Sequence, residues 1–452
     1  MPTQHSCDVV VVGGGLSGLY AARLLAAAGA DVLVLEAQNR VGGRTLTGHF
    51  GDGTFVDDGG QWVSPGQDCI ATLAVELGVR LFPSWSEGAI VHWRAGKRVV
   101  SKDLFLPEDG DALSATCQAA AALATMAESV PPEAPWTAPR AAEWDAVTLH
   151  DWLRTHVEPM AGRRTLATAI EGVFARNSVP TSLLAALFWI RCGDPLTPFL
   201  ATGDLGPERR FNGGAEQLSQ RMAEALGQRV ICRAAVTRIS HTRDAVRVSA
   251  GDITVSAQRA IITIPPALTT RLQYDPPLPA MRDHLAQRAP MRWVIKVHCR
   301  YRRRFWVEEG LSGQTISDEG AVRVCADNSP PSGAPGVLVA FIEEMEAKRL
   351  VSRSAADREV AVLAALVRYF GAEAGQPVEY REKNWGDDAF CRGVDGGYWP
   401  QGVWTDYGQA LRAPIGKLHW AGTETASIWN GKMEGALLAA RRATEEALRA
   451  LT

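Results

Sequence analysis

The chain has 452 residues, of which 46% are hydrophobic and 21% charged; it is too long for one compact core, and its composition is ordinary for a soluble globular protein. The net charge of −3 excludes the basic field that a nucleic-acid partner requires. Its eight cysteines and nine histidines are scattered, without the spacings of disulfide scaffolds or metal ligands. We therefore expect two domains, reduced thiols in a cytoplasmic location, and no metal site. Neither end of the sequence has the apolar segment of a targeting signal or an anchor, so we also expect no membrane partner.

The first forty residues have the pattern of a dinucleotide-binding βαβ unit. Val9 to Val12 is a short β-branched run, typical of a buried parallel strand. A glycine-rich loop follows from Gly13 to Gly18, and the apolar spacing then changes to that of a helix. Asp31 to Leu35 predicts a second strand, which ends at Glu36. This order of strand, glycine loop, helix and strand indicates a bound dinucleotide.

Each part of this unit has a physical task. Gly13 makes the tight turn, Gly15 lets the backbone approach a pyrophosphate, and Gly18 lets helix and strand pack closely. The N-terminus of the helix offers unpaired N–H groups and a partial positive charge to the diphosphate. Glu36 can accept hydrogen bonds from a ribose 2′-OH and would repel a 2′-phosphate, so NADP is disfavoured.

The segment after Glu36 distinguishes FAD from NAD. Arg40 to Thr45 reads RVGGRT, which puts two arginines and a glycine pair where a second turn can fold back to the diphosphate. The glycine loop, the acid and this R-x-G-G-R segment resemble those of the FAD-dependent amine oxidases, the monoamine and polyamine oxidase group. The resemblance implies an α/β fold, with a Rossmann-type, GR2-like FAD-binding domain, an inserted α+β substrate-binding domain, and the two-domain amine oxidase architecture.

The same resemblance implies domain boundaries and cofactor contacts. The FAD-binding domain would comprise residues 1–78, 206–271 and 382–452, and the substrate-binding domain residues 79–205 and 272–381. The turn from Asp57 to Val63 would run under the flavin ring. The helix that begins near Met433 would point its dipole at the flavin pyrimidine edge. The expected FAD-binding residues are Gly13, Gly15, Ser17, Gly18, Glu36, Ala37, Arg44, Gly60, Gln61, Trp62, Val236, Trp385, Gly422, Thr423, Glu424 and Met433.

Periodicity predicts the main elements between these motifs. They are a strand pair over Gly88 to Ser101, helices over Ala71 to Gly78, Ala112 to Met126 and Leu149 to Cys192, and a strand over Arg229 to Ile239. The segment Phe174 to Leu200 carries Phe188, Trp189 and Phe199, which are candidates for pocket walls, with plain core as the alternative.

Arg292 to Tyr301 alternates cleanly and predicts a strand with two different faces. One face is apolar, and Lys296 lies on the other, among arginine and histidine neighbours. From the pattern alone, Lys296 is a lysine on a wet strand face. The resemblance gives it a function, since it matches the family lysine that holds a water against flavin N5. We therefore name Lys296 as a catalytic candidate.

The sequence departs from the family at the position of the covalent flavin bond. In monoamine oxidases, a cysteine nine residues after the tryptophan that matches Trp385 bonds to the flavin; here that position is Val394. Cys391 is three residues away and, in an extended segment, would point elsewhere. We therefore predict non-covalent FAD.

Two further departures fall in the aromatic cage, in which the family sandwiches the substrate amine. The matching positions are Asp395 and Lys432, which present opposite charges in place of two rings. In one interpretation, Asp395 orients an ammonium group or accepts a proton while Lys432 meets a carboxylate or carbonyl oxygen. In the other, the two residues form a structural ion pair that shapes the pocket. Both interpretations argue against simple arylalkylamines as substrates.

Motifs and resemblance together predict an FAD-dependent oxidase. A C–H bond next to nitrogen would deliver its hydrogen to flavin N5, giving an imine, and O2 would reoxidise the flavin to H2O2. The substrate would be an amine, or an amide of secondary metabolism. One alternative is an L-amino-acid oxidase, although Gln61-Trp62 stands where some of these place a carboxylate-binding arginine. The other is a flavoprotein whose degenerate site serves binding or assembly. The sequence is compatible with a homodimer.

Overall fold

The computed structural model describes residues 3–103, 110–158, 181–193 and 208–451, without the side chains of residues 110–113 and 395. Residues 159–180 of the predicted helical block lie outside the described residues, and so does Phe199. The strands are β1 Thr3–Val12, β2 Val32–Leu35, β3 Thr47–His49, β4 Phe55–Asp57, β5 Trp62–Val63, β6 Leu81–Pro83, β7 Ala89–Arg94, β8 Lys97–Ser101, β9 Arg209–Phe211, β10 Val230–Ile231, β11 Arg238–His241, β12 Val246–Ala250, β13 Ile253–Ile262, β14 Gln273–Asp275, β15 Met291–Arg292, β16 Val294–Tyr301, β17 Leu311–Ser317, β18 Val324–Asp327, β19 Gly336–Glu343, β20 Glu379–Asn384, β21 Val394–Gly397 and β22 Leu418–Trp420. The α-helices are α1 Leu16–Ala27, α2 Asp68–Glu76, α3 Gly110–Glu128, α4 Ala141–Asp145, α5 Leu149–His156, α6 Leu183–Cys192, α7 Glu216–Leu226, α8 Pro266–Thr269, α9 Ala280–Gln287, α10 Phe305–Glu308, α11 Glu344–Leu350, α12 Ala355–Phe370, α13 Val403–Tyr407 and α14 Met433–Leu451.

The first sheet has eight strands in the order β10-β2-β1-β13-β12-β11-β14, with β22 paired to β13. Around its centre, β10, β2, β1, β13 and β22 run parallel. Val9 and Val11 pack on α1 and α14, while Val10 and Val12 enter a second apolar cluster on the other face. Because both faces are covered, the strand is the continuous β-branched run that a buried parallel strand requires. The predicted Rossmann-type α/β core is confirmed.

The second sheet has seven strands in the order β20-β16-β19-β18-β17-β7-β8. Its strand β16 lies between β19 and β20 and is antiparallel to both. The predicted apolar face of β16, including Ile295, Val297 and Cys299, packs on α12. The predicted domain boundary at residue 382 falls inside β20, a strand of this second sheet.

A helical layer formed mainly by α3 to α6, α9 and α13 surrounds a third apolar cluster. Phe188 on α6 is fully buried in it, and its ring centroid lies 5.1 Å from that of Trp404. This packing supports the core interpretation of Phe188 and not the pocket-wall one. In the described ranges, none of the helices is both long and apolar enough to span a bilayer.

The strand predicted over Arg229 to Ile239 is wrong as one element, because it is divided into β10 and β11. Between them, Arg233 has φ +58°, which no strand residue adopts. The amide of Arg233 donates to Gln38 O and that of Ala234 to Glu36 O, both at 2.8 Å. The backbone at Arg233 and Ala234 is therefore not part of a strand, because it forms hydrogen bonds with the residues that follow β2.

The helix predicted to begin at Ala71 begins three residues earlier, at Asp68. The Glu434 carboxylate of α14 accepts hydrogen bonds from the amides of Cys69 at 3.0 Å and Ile70 at 2.7 Å. A carboxylate at a helix N-terminus satisfies unpaired N–H groups and complements the helix dipole. The additional turn therefore depends on a residue distant in sequence, which local periodicity does not reveal.

Candidate active site

The glycine loop between β1 and α1 forms a cradle made of backbone. Gly13 has φ +106°, and a Cβ on Gly18 would lie 1.9 Å from Gly13 O, so neither position accepts another residue. A Cβ on Gly15 would come no closer than 3.8 Å to its nearest neighbour, Gly43 Cα. The loop thus leaves space at the N-terminus of α1, where N–H groups and the helix dipole favour an anion.

Glu36 lies at the end of β2 and closes one side of this cradle. Its Oε2 accepts a hydrogen bond from Gly14 N at 2.6 Å and its Oε1 one from Gln38 N at 2.7 Å. Burial raises the pKa of the Glu36 carboxyl, while these N–H groups and that of Ala37 act in the opposite direction. Each oxygen has a second lone pair, so the carboxylate keeps acceptor capacity for a hydroxyl group.

The second turn folds back on the glycine loop, as the R-x-G-G-R segment predicts. Gly42 N donates to Gly14 O at 2.9 Å. Arg40 holds this turn together, since its Nη2 donates to Gly43 O at 2.8 Å. Arg44 instead forms a bidentate ion pair with Glu424, with N–O distances of 2.7 and 3.2 Å.

The turn after β22 lies beside the start of α1. Gly422 N donates to the Ser17 hydroxyl at 3.0 Å, which joins the turn after β22 to α1. The Thr423 hydroxyl donates to Lys432 O at 2.7 Å and fixes the start of α14. A Cβ on Gly60 would lie 3.4 Å from Met433 Sδ. The structure thus brings these predicted cofactor residues together, while Val236 lies in the connection between β10 and β11 and packs on the first sheet.

Lys296 reaches from the second sheet to the turn after β4. Its Nζ donates to Gly59 O at 2.8 Å and to Gln61 Oε1. Nζ lies 5.3 Å from the ring centroid of Trp62 and 5.6 Å from that of Phe341, and the two rings are 5.9 Å apart. A cation, a backbone carbonyl and two aromatic faces therefore meet at the turn after β4.

The prediction of a wet face for β16 is wrong. Lys296 is 4% exposed, and its neighbour His298 on the same face is 0% exposed. The His298 ring donates through Nε2 to Asp57 O at 3.1 Å, so this face of β16 lies against β4. Burial and the nearby Lys296 charge lower the pKa of His298 well below its ordinary value, so the imidazole is neutral.

Two of the predicted flavin-facing side chains have protein partners. The Gln61 amide accepts from Lys296 and donates through Nε2 to Asn328 Oδ1 at 2.8 Å. The indole N–H of Trp385 donates to Asp58 O at 2.7 Å, and its ring is fully buried. These bonds hold the turn in place, and they leave one amide N–H of Gln61 for another partner.

The two charged cage positions lie on adjacent segments. A Cβ on Gly396, next to Asp395, would lie 3.5 Å from Gly431 Cα, next to Lys432. The same Cβ would lie 3.5 Å from Glu424 Cγ. The backbone therefore places positions 395 and 432 beside the residues expected at the cofactor. Lys432 is half-buried, and the Asp395 side chain is outside the described part of the structure.

Cys391 does not lie in the extended segment that we expected. It is in a turn, where its amide donates to Asp388 Oδ1 at 3.1 Å, and it is 3% exposed. Burial raises the pKa of its thiol to about 12. A buried, protonated thiol is a poor nucleophile.

Sequence reasoning missed Asn328, Arg210 and His298, which lie behind Lys296. Arg210 is 3% exposed and donates through Nη1 to Asn328 Oδ1 at 2.6 Å. No spacing rule links these residues, because each comes from a different strand or loop. Two signals are available: Arg210 stands directly before the Phe211-Asn212-Gly213-Gly214 turn, and His298 follows Lys296 by two residues on the same strand face.

The residues present fit a flavin dinucleotide. The backbone cradle at α1 suits a diphosphate, Glu36 suits a ribose, and α14 begins beside Gly60 at the junction of the two sheets. A buried lysine contacts the same turn at Gly59 O, with two aromatic rings beside it. Fold and site together define a two-domain dinucleotide-dependent oxidoreductase.

Comparisons with known proteins identify the family. A family model described as flavin containing amine oxidoreductase matches residues 16–448. The chain is 36% identical to a flavin-containing amine oxidase of Oncorhynchus mykiss, over 99% of this chain and 87% of that protein. It is 35% identical to the flavin-containing amine oxidase B of Canis lupus familiaris, over 98% and 86% respectively.

Solved structures agree with this result. Wild-type putrescine oxidase bound to putrescine superposes with a TM-score of 0.92 at 32% identity, covering 99% of this chain and 100% of that one. Cyclohexylamine oxidase from Brevibacterium oxydans IH-35A gives a TM-score of 0.91 at 32% identity, covering 98% and 99%. The chain belongs to the flavin-containing amine oxidase family. The predicted family, its cofactor FAD and the enzyme class, an oxidoreductase acting on amines, are confirmed.

Proposed function

We propose that this enzyme oxidises a polar amine or N-acyl amine at non-covalently bound FAD, with O2 as the electron acceptor. The observation that carries the proposal is the pair of charged residues at the two cage positions. Their segments are adjacent, since a Cβ on Gly396 would lie 3.5 Å from Gly431 Cα. A substrate with its own polar groups can form hydrogen bonds and ion pairs with two charged side chains, which the apolar part of a simple arylalkylamine cannot.

When bound, FAD would supply the redox chemistry, as the acceptor of hydrogen from the carbon next to nitrogen and the donor of electrons to O2. The protein orients the substrate and excludes water. Trp62 and Phe341 form an apolar wall beside Lys296, which is itself nearly inaccessible. Lys296 has its amino group fixed by Gly59 O and Gln61, so it presents a stationary donor at the junction of the two domains.

Asp395 and Lys432 have complementary tasks in this proposal. Asp395 orients the substrate ammonium group or accepts a proton from it, so that the nitrogen lone pair becomes available. Lys432 meets a carboxylate or carbonyl oxygen on the same substrate. The product is an imine, whose hydrolysis gives an aldehyde or a ketone.

The experiment that tests this function is anaerobic reduction of the purified yellow protein, followed at the flavin absorption band at about 450 nm. The panel contains simple arylalkylamines, diamines, amino acids and N-acyl amines. We expect polar amines or N-acyl amines to bleach the band and air to restore it. Bleaching by arylalkylamines alone would contradict the proposal, and efficient bleaching by amino acids alone would support an L-amino-acid oxidase instead.

Substitutions separate the catalytic interpretation of the charged pair from the structural one. Asp395→Asn and Lys432→Met should each lower kcat/KM at least about tenfold, a loss of 1.4 kcal/mol of transition-state stabilisation. Asp244→Asn and Lys97→Met, at exposed positions, make the same changes of charge and should leave kcat/KM unchanged. Unchanged kcat/KM in both site variants would assign the pair to a structural role.

A separate experiment tests whether FAD is bound non-covalently. Val394 occupies the position of the covalent cysteine, and the buried Cys391 thiol is held in a turn at Asp388. Acid precipitation should therefore release the yellow colour into the supernatant. A yellow pellet over a colourless supernatant would show a covalent bond.

We also propose a cytoplasmic location. All eight cysteines are free thiols, as is usual in a reducing compartment. Cell fractionation followed by immunodetection tests this, and recovery of the protein in a membrane or secreted fraction would contradict it.

A further inference from the structure

A buried hydrogen-bonded chain runs behind Lys296 and ends at Arg210. From Lys296 it passes to Gln61 Oε1, then from Gln61 Nε2 to Asn328 Oδ1 at 2.8 Å. Arg210 Nη1 donates to the same Asn328 oxygen at 2.6 Å. Gln61, Asn328 and Arg210 are 1%, 1% and 3% exposed. The three side chains come from the β4–β5 turn, the segment after β18, and β9.

Arg210 fixes the direction of every bond in this chain. A guanidinium group can only donate, so the Asn328 atom that faces Arg210 must be its oxygen. Arg210 is itself held, since it also donates to Asn328 O at 3.0 Å and to Ser329 O. Because Asn328 Oδ1 accepts, the Gln61 atom that faces it must be the amide nitrogen. The Gln61 oxygen is therefore turned towards Lys296.

The amide nitrogen of Asn328 determines which ring nitrogen of His298 carries the proton. Asn328 Nδ2 lies 3.3 Å from His298 Nδ1, so this ring nitrogen must be the acceptor. The proton of neutral His298 is then on Nε2, which donates to Asp57 O at 3.1 Å. One arginine thus sets two amide orientations and one imidazole tautomer.

We propose that Gln61 and Asn328 are positioning residues that hold the Lys296 amino group in one direction. The inference rests on the proposed role of Lys296 in the preceding section. A lysine nitrogen makes at most three directed bonds, and Gly59 O and Gln61 Oε1 take two of them. The tetrahedral geometry of Nζ then determines the direction of the third. A flexible four-carbon side chain becomes a preorganised group in this way.

Kinetics of flavin reduction test the proposal through a double-mutant cycle. Gln61→Leu and Asn328→Leu should each lower the limiting rate of reduction about tenfold or more, because small misplacements of such a group have large rate effects. If both residues act through Lys296, adding Gln61→Leu to Lys296→Met should cause no further loss. A double variant that is slower by the product of the single effects would overturn the inference. Dissociation constants for FAD, measured alongside, separate loss of cofactor from loss of positioning.

A matched control is Asn384→Leu. Asn384 also uses its side-chain oxygen, on the indole of Trp293 at 2.8 Å, and its amide nitrogen on Asp387 at 2.7 Å. It lies on β20 and belongs to neither the chain behind Lys296 nor the cofactor cradle. Its rate of flavin reduction should stay within twofold of that of the unaltered enzyme. A loss as large as that of Asn328→Leu would indicate a general response of the second sheet.

Asn328→Asp distinguishes the two halves of the asparagine amide. A carboxylate still accepts from Arg210 and Gln61, so flavin reduction should stay within about threefold of the unaltered rate. It cannot donate to His298 Nδ1, so His298 should acquire a proton on Nδ1. Nitrogen-15 NMR of the labelled holoenzyme reports this directly, with an Nε2–H tautomer in the unaltered enzyme. An Nδ1–H tautomer in the unaltered enzyme would overturn the inferred polarity.

The two proposals can fail separately. If Lys296→Met leaves flavin reduction unchanged, the role of Lys296 fails, and the NMR result alone decides whether the hydrogen-bonded chain has the inferred direction. If Lys296→Met slows reduction but Gln61→Leu and Asn328→Leu do not, the positioning role fails and the role of Lys296 stands.

Discussion

Arg44 and Glu424 are 380 residues apart in sequence and form a bidentate ion pair, with N–O distances of 2.7 and 3.2 Å. Arg44 ends the second turn at the glycine loop, and Glu424 lies in the turn after β22. Glu424 is 1% exposed, so its carboxylate depends on partners within the protein. The pair joins the first and last parts of the FAD-binding domain.

Removing one partner of this pair should destabilise the protein more than removing both. Arg44→Met leaves a buried carboxylate, and we expect the free energy of unfolding to fall by about 3 kcal/mol. The double variant Arg44→Met/Glu424→Leu should lose clearly less. Urea unfolding of the apoprotein measures both, and a loss in the double variant as large as that in Arg44→Met, or larger, would contradict this expectation. Arg140→Met breaks the exposed Arg140–Glu143 pair and should leave the unfolding midpoint unchanged.

Glu36 should matter for FAD affinity. Removal of a hydrogen bond to a charged group costs about 1.5–3 kcal/mol, so Glu36→Ala should raise the dissociation constant for FAD about ten- to hundredfold. Titration of the apoprotein followed by flavin fluorescence measures it. Glu379→Ala is a control, because Glu379 also accepts a backbone N–H, from Gly51 at 3.0 Å, but on the second sheet. An affinity for FAD unchanged by Glu36→Ala would exclude a ribose contact.

Asp57 should make stability depend on pH. Burial raises the pKa of its carboxyl from 3.8 to about 6, although Lys296 and Arg210 act in the opposite direction. Because the folded state binds the proton more tightly, the stabilising contribution is complete below pH 3.8 and is lost as the pH rises through about 6. Relative to Asp57→Asn, the unaltered apoprotein should lose about 2 kcal/mol between pH 4 and pH 7. Parallel urea curves at each pH measure this difference, and a constant difference would contradict the raised pKa.

Glu434 should stabilise α2 from a distance. Its carboxylate accepts from the amides of Cys69 and Ile70, and the loss of such a cap costs about 1 kcal/mol. Glu434→Ala should therefore lower the free energy of unfolding by about that amount. Glu445→Ala, on the exposed side of the same helix, is the control. Equal effects of the two variants would argue against the cap.

The parts of the fold that sequence predicts best are those that local chemistry determines. Gly13 requires a positive φ, and Gly18 accepts no Cβ, so the glycine loop is visible in the sequence itself. Val9 to Val12 forms the central strand because every side chain in it is buried. Arg233, in contrast, breaks a predicted strand because of hydrogen bonds to residues almost two hundred positions earlier, which no local pattern contains.

The same contrast holds in the site. The resemblance identifies Lys296, but alternation does not show that its face of β16 is covered by β4. Periodicity separates two faces of a strand and does not say what lies against each. Asn328 was missed for the same reason, because its importance comes only from the three side chains that surround it.

Glu424 pairs with Arg44 and α14 packs on α1, so the order of synthesis determines when the FAD-binding site can form. The ribosome completes the glycine loop, α1 and Glu36 early, whereas Glu424 follows Arg44 by 380 residues. The N-terminal nucleotide unit therefore leaves the ribosome without its ion-pair partner at Arg44 and without the helix that packs on α1. Tight capture of FAD must therefore wait until α14 has been synthesised, and until then the apolar face of α1 that packs on α14 is exposed to chaperones.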